Sequence, residues 1–215
     1  MLDLIKLRDV SRINRGCLML LEPVTLSGTH VELVPLSIDH SAALAKAVQD
    51  GKLWRLWYTT VPAGGDMEGE ILRRLDLQVR GSTLAFAVLD GPGGTPVGMT
   101  SYLNVDAATP RLEIGATWYA GRVQRTPLNT EAKLLLLEHA FGPLSCLAVE
   151  FRTHFMNAAS RRAIERLGAK LDGILRHHVR MKDGTIRDTC VYSVVAPEWP
   201  AVRTHLQWQL DRPRP

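Results

Sequence analysis

Apolar and polar positions alternate with a period of two over residues 30–36 (HVELVPL), the spacing of a strand with one buried face. Ser37 follows, and residues 37–48 carry the pattern of a capped amphipathic helix. An aromatic stretch at 52–58 (KLWRLWY) and a turn-rich break at 62–66 precede a second helical pattern over 66–80, with Ile71, Leu72, Leu75 and Val79 on one face. The β period then returns. TLAFAVL at 83–89, a GPGGTP turn, residues 97–105, a turn at 106–110 and RLEIGATW at 111–118 predict three antiparallel neighbours. The second half alternates: a helix over 127–141, a strand over 147–153, and a helix over 158–167 with Gly168 where a C′ glycine ends it. Two strands, 171–181 and 186–195, flank the hairpin turn at Asp183-Gly184. A last helix over 198–210 carries Trp199 and Trp208, both available to dock. The order β-α-α-β-β-β-α-β-α-β-β predicts an α/β (α+β) domain in which helices pack on a mixed sheet.

Composition narrows the class without changing that picture. The chain has 215 residues, 46% hydrophobic and 22% charged, enough for one domain with a full core. The net charge of +4 suits an anionic ligand such as a cofactor phosphate, but falls short of the dense basic stripe that nucleic acid demands. Cys17, Cys146 and Cys190 include no CxxC pair, which argues against a disulfide framework or a zinc site and for a reducing cytoplasm. No apolar run approaches the roughly 20 residues that span a bilayer, so no membrane partner is expected. Residues 1–20 place an apolar stretch before a basic one, the reverse of a secretory signal. They read as an extension ahead of a domain over 21–197 and a helical tail over 198–215.

Two segments carry candidate chemistry. In GRVQRTPLNTEAK, at 121–133, Thr126 suits an N-cap and Pro127 the first helical position. The amides of Leu128, Asn129 and Thr130 are then free, beside Arg122 and Arg125. Free amides, the positive end of a helix and two arginines together make a diphosphate site. Taken alone, the same residues also describe an ordinary capped surface helix. In NAASRRAIERLG, at 157–168, Asn157 is an N-cap, Ser160 sits in the first turn, and Ala163, Ile164 and Leu167 form the buried face. This too, alone, is an amphipathic helix. His177 and His178 fall on opposite faces of a predicted strand, which disfavours a shared metal. His154, just before Asn157, stands near the same helix end.

Gln124-Arg125-Thr126 and Asn129-Thr130, followed about 30 residues later by Asn157-x-x-Ser160 and Arg166-Leu167-Gly168-Ala169, resemble the GCN5-related N-acetyltransferases (GNAT). The likeness is greater to the branch of ribosomal-protein N-terminal acetyltransferases (RimJ/RimL-like). THVELVPL, PVGMTSY and LEIGATW match as well, so the resemblance runs from Leu26 to Val195. It implies the GNAT fold, a mixed and mostly antiparallel sheet of about six to seven strands flanked by helices. It also implies acetyl transfer from acetyl-CoA, a cosubstrate, to an amine-bearing acceptor without a metal. By the same resemblance Gln124, Arg125, Thr126, Leu128, Asn129 and Thr130 bind the pyrophosphate, and Thr117 and Trp118 form the edge that pairs with pantetheine. Asn157 holds the pantetheine or its neighbourhood, Ser160 lies near the thioester sulfur, and Glu113 is the general base. Trp54, Trp57 and Tyr58 wall the acceptor site, or equally serve to pack the connection between helices. One departure stands out. The family loop has the form Q/R-x-x-G-x-G/A, and glycine lets backbone approach phosphate closely. Here Thr126, Pro127, Leu128 and Asn129 occupy that stretch, and Asn129 is the residue best able to take a left-handed backbone.

Acyl transfer to an amine requires a base for the ammonium proton, donors for the developing oxyanion and a stabilised thiolate. Glu113 is the candidate base, backbone amides near the strand end the candidate donors, and Ser160 the candidate partner of the thiolate. The acceptor class stays open among protein N-termini, small amines, aminoglycoside-like or aminoacyl compounds and polyamines. A ribosomal-protein N-terminal acetyltransferase is one rival reading, and a non-catalytic acyl-CoA-binding module is another. Other α/β nucleotide-binding domains lack support, since neither GxGxxG nor a P-loop occurs. A homodimer face is expected at an extra strand or at residues 199–208.

Overall fold

The computed structural model describes residues 21–212. The predicted extension over 1–20 and Cys17 lie outside them. Strands β1 (Leu26–Ser27) and β2 (Val31–Pro35) lead into helix α1 (Ser41–Gln49) and helix α2 (Met67–Val79). Strands β3 (Thr83–Asp90), β4 (Pro96–Asp106) and β5 (Arg111–Tyr119) follow, then helix α3 (Leu128–Phe141), strand β6 (Ala148–His154) and helix α4 (Ala158–Glu165). Strands β7 (Lys170–Arg180) and β8 (Ile186–Val195) and helix α5 (Trp199–Asp211) complete the chain. The predicted order of elements holds. The eighth strand, above the six to seven expected, is β1, whose two residues are too few to leave an alternation pattern.

All eight strands form one sheet in the order β1-β2-β3-β4-β5-β6-β8-β7. Every pairing is antiparallel except β5 with β6. A parallel pair needs a crossover, and α3 supplies it. Residues 83–89 of β3 are buried throughout, as expected of a strand covered on both faces, and Phe86 meets the Tyr102 ring edge-on at 5.5 Å. Ser37 caps the first helical turn through Asp39 N, and Gly168 (φ +98°) and Gly184 (φ +86°) take the left-handed turn positions predicted for them. Glu131 of α3 is buried and accepts from Thr29 N (2.9 Å) and His30 N (2.5 Å), tying the β1–β2 turn to the helix.

Two faces differ from expectation. On α2 the buried stripe is Met67, Ile71 and Arg74, continued by Gln78, which accepts from Ala85 N at 3.1 Å. Leu72 and Val79 are 52% and 88% exposed, because they lie one residue round the helix from that stripe. On α5, Trp199 stacks on Phe141 of α3 at 5.3 Å, whereas Trp208 is exposed. Arg203 to Glu138 and Gln209 to the Arg166 carbonyl, at 2.8 and 2.9 Å, complete the docking of α5. No helix among the described residues is long and apolar enough to cross a membrane.

Candidate active site

The β5–β6 pairing is confined to Arg111, Leu112 and Glu113 opposite Ala148, Val149 and Glu150. Beyond that point β5 runs on to Tyr119 and β6 to His154 without pairing, so the sheet opens into a wedge. A cleft of about 480 Å³ occupies it, bounded by β5, β6, α2, α3, α4 and residues 58–61. The β4–β5 ladder slips between Met99 and Ser101, and Ala116 takes a left-handed backbone (φ +49°) at this bulge. Arg74 fixes the bulge. It is buried and donates to Glu70 Oε1 (2.7 Å), Ser101 Oγ (3.1 Å) and the Ala116 carbonyl (3.0 Å). In a planar trans peptide the C=O and the next N–H point in opposite directions. Holding the Ala116 carbonyl therefore turns the Thr117 amide away from Arg74.

At one end of the cleft stands the N-terminus of α3. Thr126 Oγ1 accepts from Leu128 N at 3.3 Å and donates to the Val123 carbonyl at 2.7 Å, so it acts as the expected cap. That bond occupies the Leu128 amide, which sequence had left free; Asn129 and Thr130 keep amides without a partner among the described residues. The left-handed position of the loop is Arg125 (φ +63°), not Asn129, which is helical. Arg122 is tied instead to Asp50, its amide donating at 2.8 Å and its guanidinium lying 4.0 Å away. Gln124 and Asn129 line the cleft. Thr126 and Leu128 line a second, shallower groove on the other side of the loop. The Thr130 side chain is buried and accepts from Arg166 at 3.2 Å.

The middle of the cleft gathers Glu113, Thr117, Trp118, Asn157 and Ser160. Glu113 is only 7% exposed. Burial raises its pKa above the ordinary carboxylate value, while an Asn104 amide donating at 2.7 Å and the Arg152 charge 3.7 Å away pull it back. Asn157 Oδ1 caps α4 by accepting from Ser160 N at 3.0 Å, as its position predicts. Trp118 Nε1 and Tyr119 Oη are buried without a hydrogen-bond partner among the described residues, and both residues line the cleft. An unpaired buried polar atom costs about 1–3 kcal/mol, so both are a local cost to the fold beside the cleft.

Lys133, which sequence reasoning passed over, lies one turn into α3. It is buried, lines the cleft, and among the described residues its Nζ reaches only hydroxyls, Thr117 Oγ1 at 3.1 Å and Thr100 Oγ1 at 3.4 Å. Burial lowers its pKa to about 7. A lysine among Leu134, Leu136 and Leu137 was the available signal. Arg74, inside the apolar stripe of α2, was another.

The opposite end holds Tyr58, Arg152, His154 and Arg187. His154 is buried; its Nδ1 accepts from Met156 N at 3.0 Å, so the neutral ring carries its proton on Nε2. Burial, followed by the Arg187 charge, keeps its pKa below the ordinary value. Trp57 stands edge-on to this ring at 5.1 Å and is 54% exposed. Trp54 packs on the core and does not line the cleft, the outcome its alternative reading allowed. His178 bonds Thr189 Oγ1 at 3.1 Å, and no cluster of three metal-ligating side chains occurs among the described residues.

The cleft thus lies between a splayed parallel pair of strands with a helix N-terminus at its mouth, and comparison with known proteins gives the class of the chain. Residues 30–170 match the acetyltransferase (GNAT) domain family, and the chain belongs to it. A GCN5-related N-acetyltransferase from Brucella melitensis is 30% identical, with a TM-score of 0.79 over 88% of this chain and 86% of that one. At 20% identity, Mycobacterium smegmatis RimJ in complex with CoA-disulfide shares the fold, with a TM-score of 0.71 over 87% of this chain and 93% of its own. The microcin C7 self-immunity acetyltransferase MccE, in complex with acetyl-CoA and AMP, is 18% identical with a TM-score of 0.67 over 78% and 93%. No match was found among curated proteins.

Proposed function

We propose that this chain transfers an acetyl group from acetyl-CoA to a primary amine by direct attack, with Glu113 as the base. The observation that carries this reading is the unpaired run of β5 and β6 beyond Glu113, with the riveted bulge at Ala116 beside it. The residues present suit the cosubstrate. The Asn129 and Thr130 amides, at the positive end of α3, would hold its diphosphate. The edge of β5 left unpaired by β6 at Thr117 and Trp118 would pair with the amides of its pantetheine arm. Acetyl-CoA supplies the activated acetyl thioester.

Glu113 accepts the proton of the attacking amine, directly or through water. Its raised pKa improves it as a base toward an ammonium, while Asn104 and Arg152 oppose that rise and favour the carboxylate. The Thr117 amide is oriented to donate to developing negative charge, and one such donor is worth about 3–4 kcal/mol. Ser160, in the first turn of α4, offers a hydroxyl to the thiolate, whose ordinary pKa of about 8.5 allows departure without full protonation. A cytoplasmic setting agrees with the free thiols of Cys146 and Cys190. A ribosomal-protein N-terminus as acceptor is the narrower rival, and draws on fold likeness.

The test is thiol release from acetyl-CoA in the presence of an amine panel, followed by mass spectrometry of the products. Amine-dependent release with acetylated product supports the reading. Binding without any release favours the non-catalytic module.

A further inference from the structure

Four arginines and two glutamates line the cleft. Three of the arginines are already engaged. Arg73 and Arg74 share Glu70 at 2.8 and 2.7 Å, and Arg152 holds Glu150 at 2.7 Å and approaches Glu113 at 3.7 Å. Arg187, on β8, differs from them. Its Nε donates to Thr189 Oγ1 at 2.9 Å, and it forms no ion pair among the described residues. Its two terminal nitrogens thus remain without an anion. The guanidinium is nonetheless partly desolvated, and its charge acts on both Glu113 and His154. Glu113 is its main counter-charge but makes no direct ion pair with it, so the guanidinium is partly desolvated without contact compensation, and an arriving anion lowers that cost. The planar fork of arginine fits a carboxylate or phosphate edge. His154 stands on the neighbouring strand, where β6 pairs with β8 at Thr189, and carries a further donor on Nε2.

We propose that the acceptor is a small amine bearing a carboxylate or phosphate a few bonds from its nitrogen, and that Arg187 selects it. This rests on the acetyl-transfer reading of the same cleft. The amine is placed at Glu113 and the anionic group at Arg187, with His154 as second donor. The arrangement disfavours polyamines and aminoglycosides, whose remaining ammonium groups would face Arg187 and the neighbouring Arg152. It also disfavours an ordinary peptide N-terminus, which carries no anion beside its amine.

Matched acceptor pairs test this with the full chain: L-amino acids against their carboxamides, O-phosphoethanolamine against ethanolamine, with spermidine and an uncharged peptide as further arms. The charged member of at least one pair should be preferred by about 10–100-fold in kcat/KM. In Arg187→Met that preference should collapse, mainly through KM, while the acetyl-CoA Kd stays within about twofold. Equal or better use of carboxamides, spermidine or peptide, or a preference that survives Arg187→Met, overturns the proposal and leaves acetyl transfer standing. A second measurement does not depend on turnover. Acetate and inorganic phosphate are titrated into the acetyl-CoA complex while tryptophan fluorescence is followed, Trp57 being the reporter beside His154. Saturable binding that is lost in Arg187→Met supports the proposal, and its absence overturns it. Failure of acetyl-CoA itself to bind strikes the acetyl-transfer reading instead.

Discussion

The two ends of the cleft are made of different material. At the α3 end the groups offered to a ligand are backbone: the Asn129 and Thr130 amides and the β5 edge at the Ala116 bulge. From the middle toward the β6–β8 end they are side chains: Glu113, then Arg152, His154 and Arg187. Backbone groups survive changes of residue as long as the local fold is kept. This explains how a loop with Thr126, Pro127, Leu128 and Asn129 can present free amides without the glycines of the family pattern. The one left-handed position falls on Arg125, and the helix starts beyond it. Side-chain groups have no such tolerance, so under the proposed reading the β6–β8 end is where acceptor choice is set.

Substitutions can break that comparison, and the largest effect is expected at the side-chain end. Glu113→Gln should lower kcat by about 10²–10⁴-fold while leaving acetyl-CoA affinity within about twofold. Steady-state rates and calorimetry together check both halves; an unchanged rate would place the base elsewhere. In the parent enzyme kcat/KM should fall with acid as Glu113 takes up a proton, with a midpoint above the ordinary carboxylate value because burial raises it. That limb should disappear in Glu113→Gln.

Next in size is the support beneath the bulge. Arg74→Met strands Ser101 Oγ and the Ala116 carbonyl and leaves Glu70 to Arg73 alone. Breaking such a buried set should cost about 3–5 kcal/mol in chemical denaturation and lower the rate as well. A stable variant with full activity would remove Arg74 from the account.

Lys133 comes third. Its folded pKa of about 7 lies below the unfolded value of roughly 10.4, so between these values the unfolded chain holds more protons. Stability should therefore rise with pH from about 7 toward 10, and the full penalty should be felt below 7. Lys133→Met should flatten that rise and raise Tm below pH 7 by roughly 4–10 °C. A parallel shift at every pH would contradict a buried, depressed lysine. The smallest effect is expected at Asn129→Ala, which keeps the amide. The acetyl-CoA Kd should change by less than about threefold, and a larger loss would mean that this end is not built from backbone.

Much of the fold was legible because it rests on local pattern. The meander, the Asp183-Gly184 hairpin and the Gly168 helix end each follow from period and turn chemistry. The misreadings were of another kind. On α2 the apolar pattern groups Leu72 and Val79 with Ile71 on one face, yet both are exposed, because the stripe that meets the sheet contains Arg74 and Gln78. At the site, Glu113, Asn157 and Ser160 all line the cleft. Lys133, Arg74 and Arg187 escaped notice because a charge in a helix or strand reads as solvent-facing until tertiary packing encloses it. Arg122 shows the converse: its partner Asp50 lies 72 residues earlier, and nothing local announces it.

The most direct test of the central claim is isothermal titration of the full chain with acetyl-CoA, with ATP and NADH run in parallel. Saturable binding of acetyl-CoA at one site per chain, without comparable binding of ATP or NADH, is the result predicted. No binding of acetyl-CoA, or binding of ATP or NADH in its place, would contradict the assignment of the cleft and the chemistry built on it.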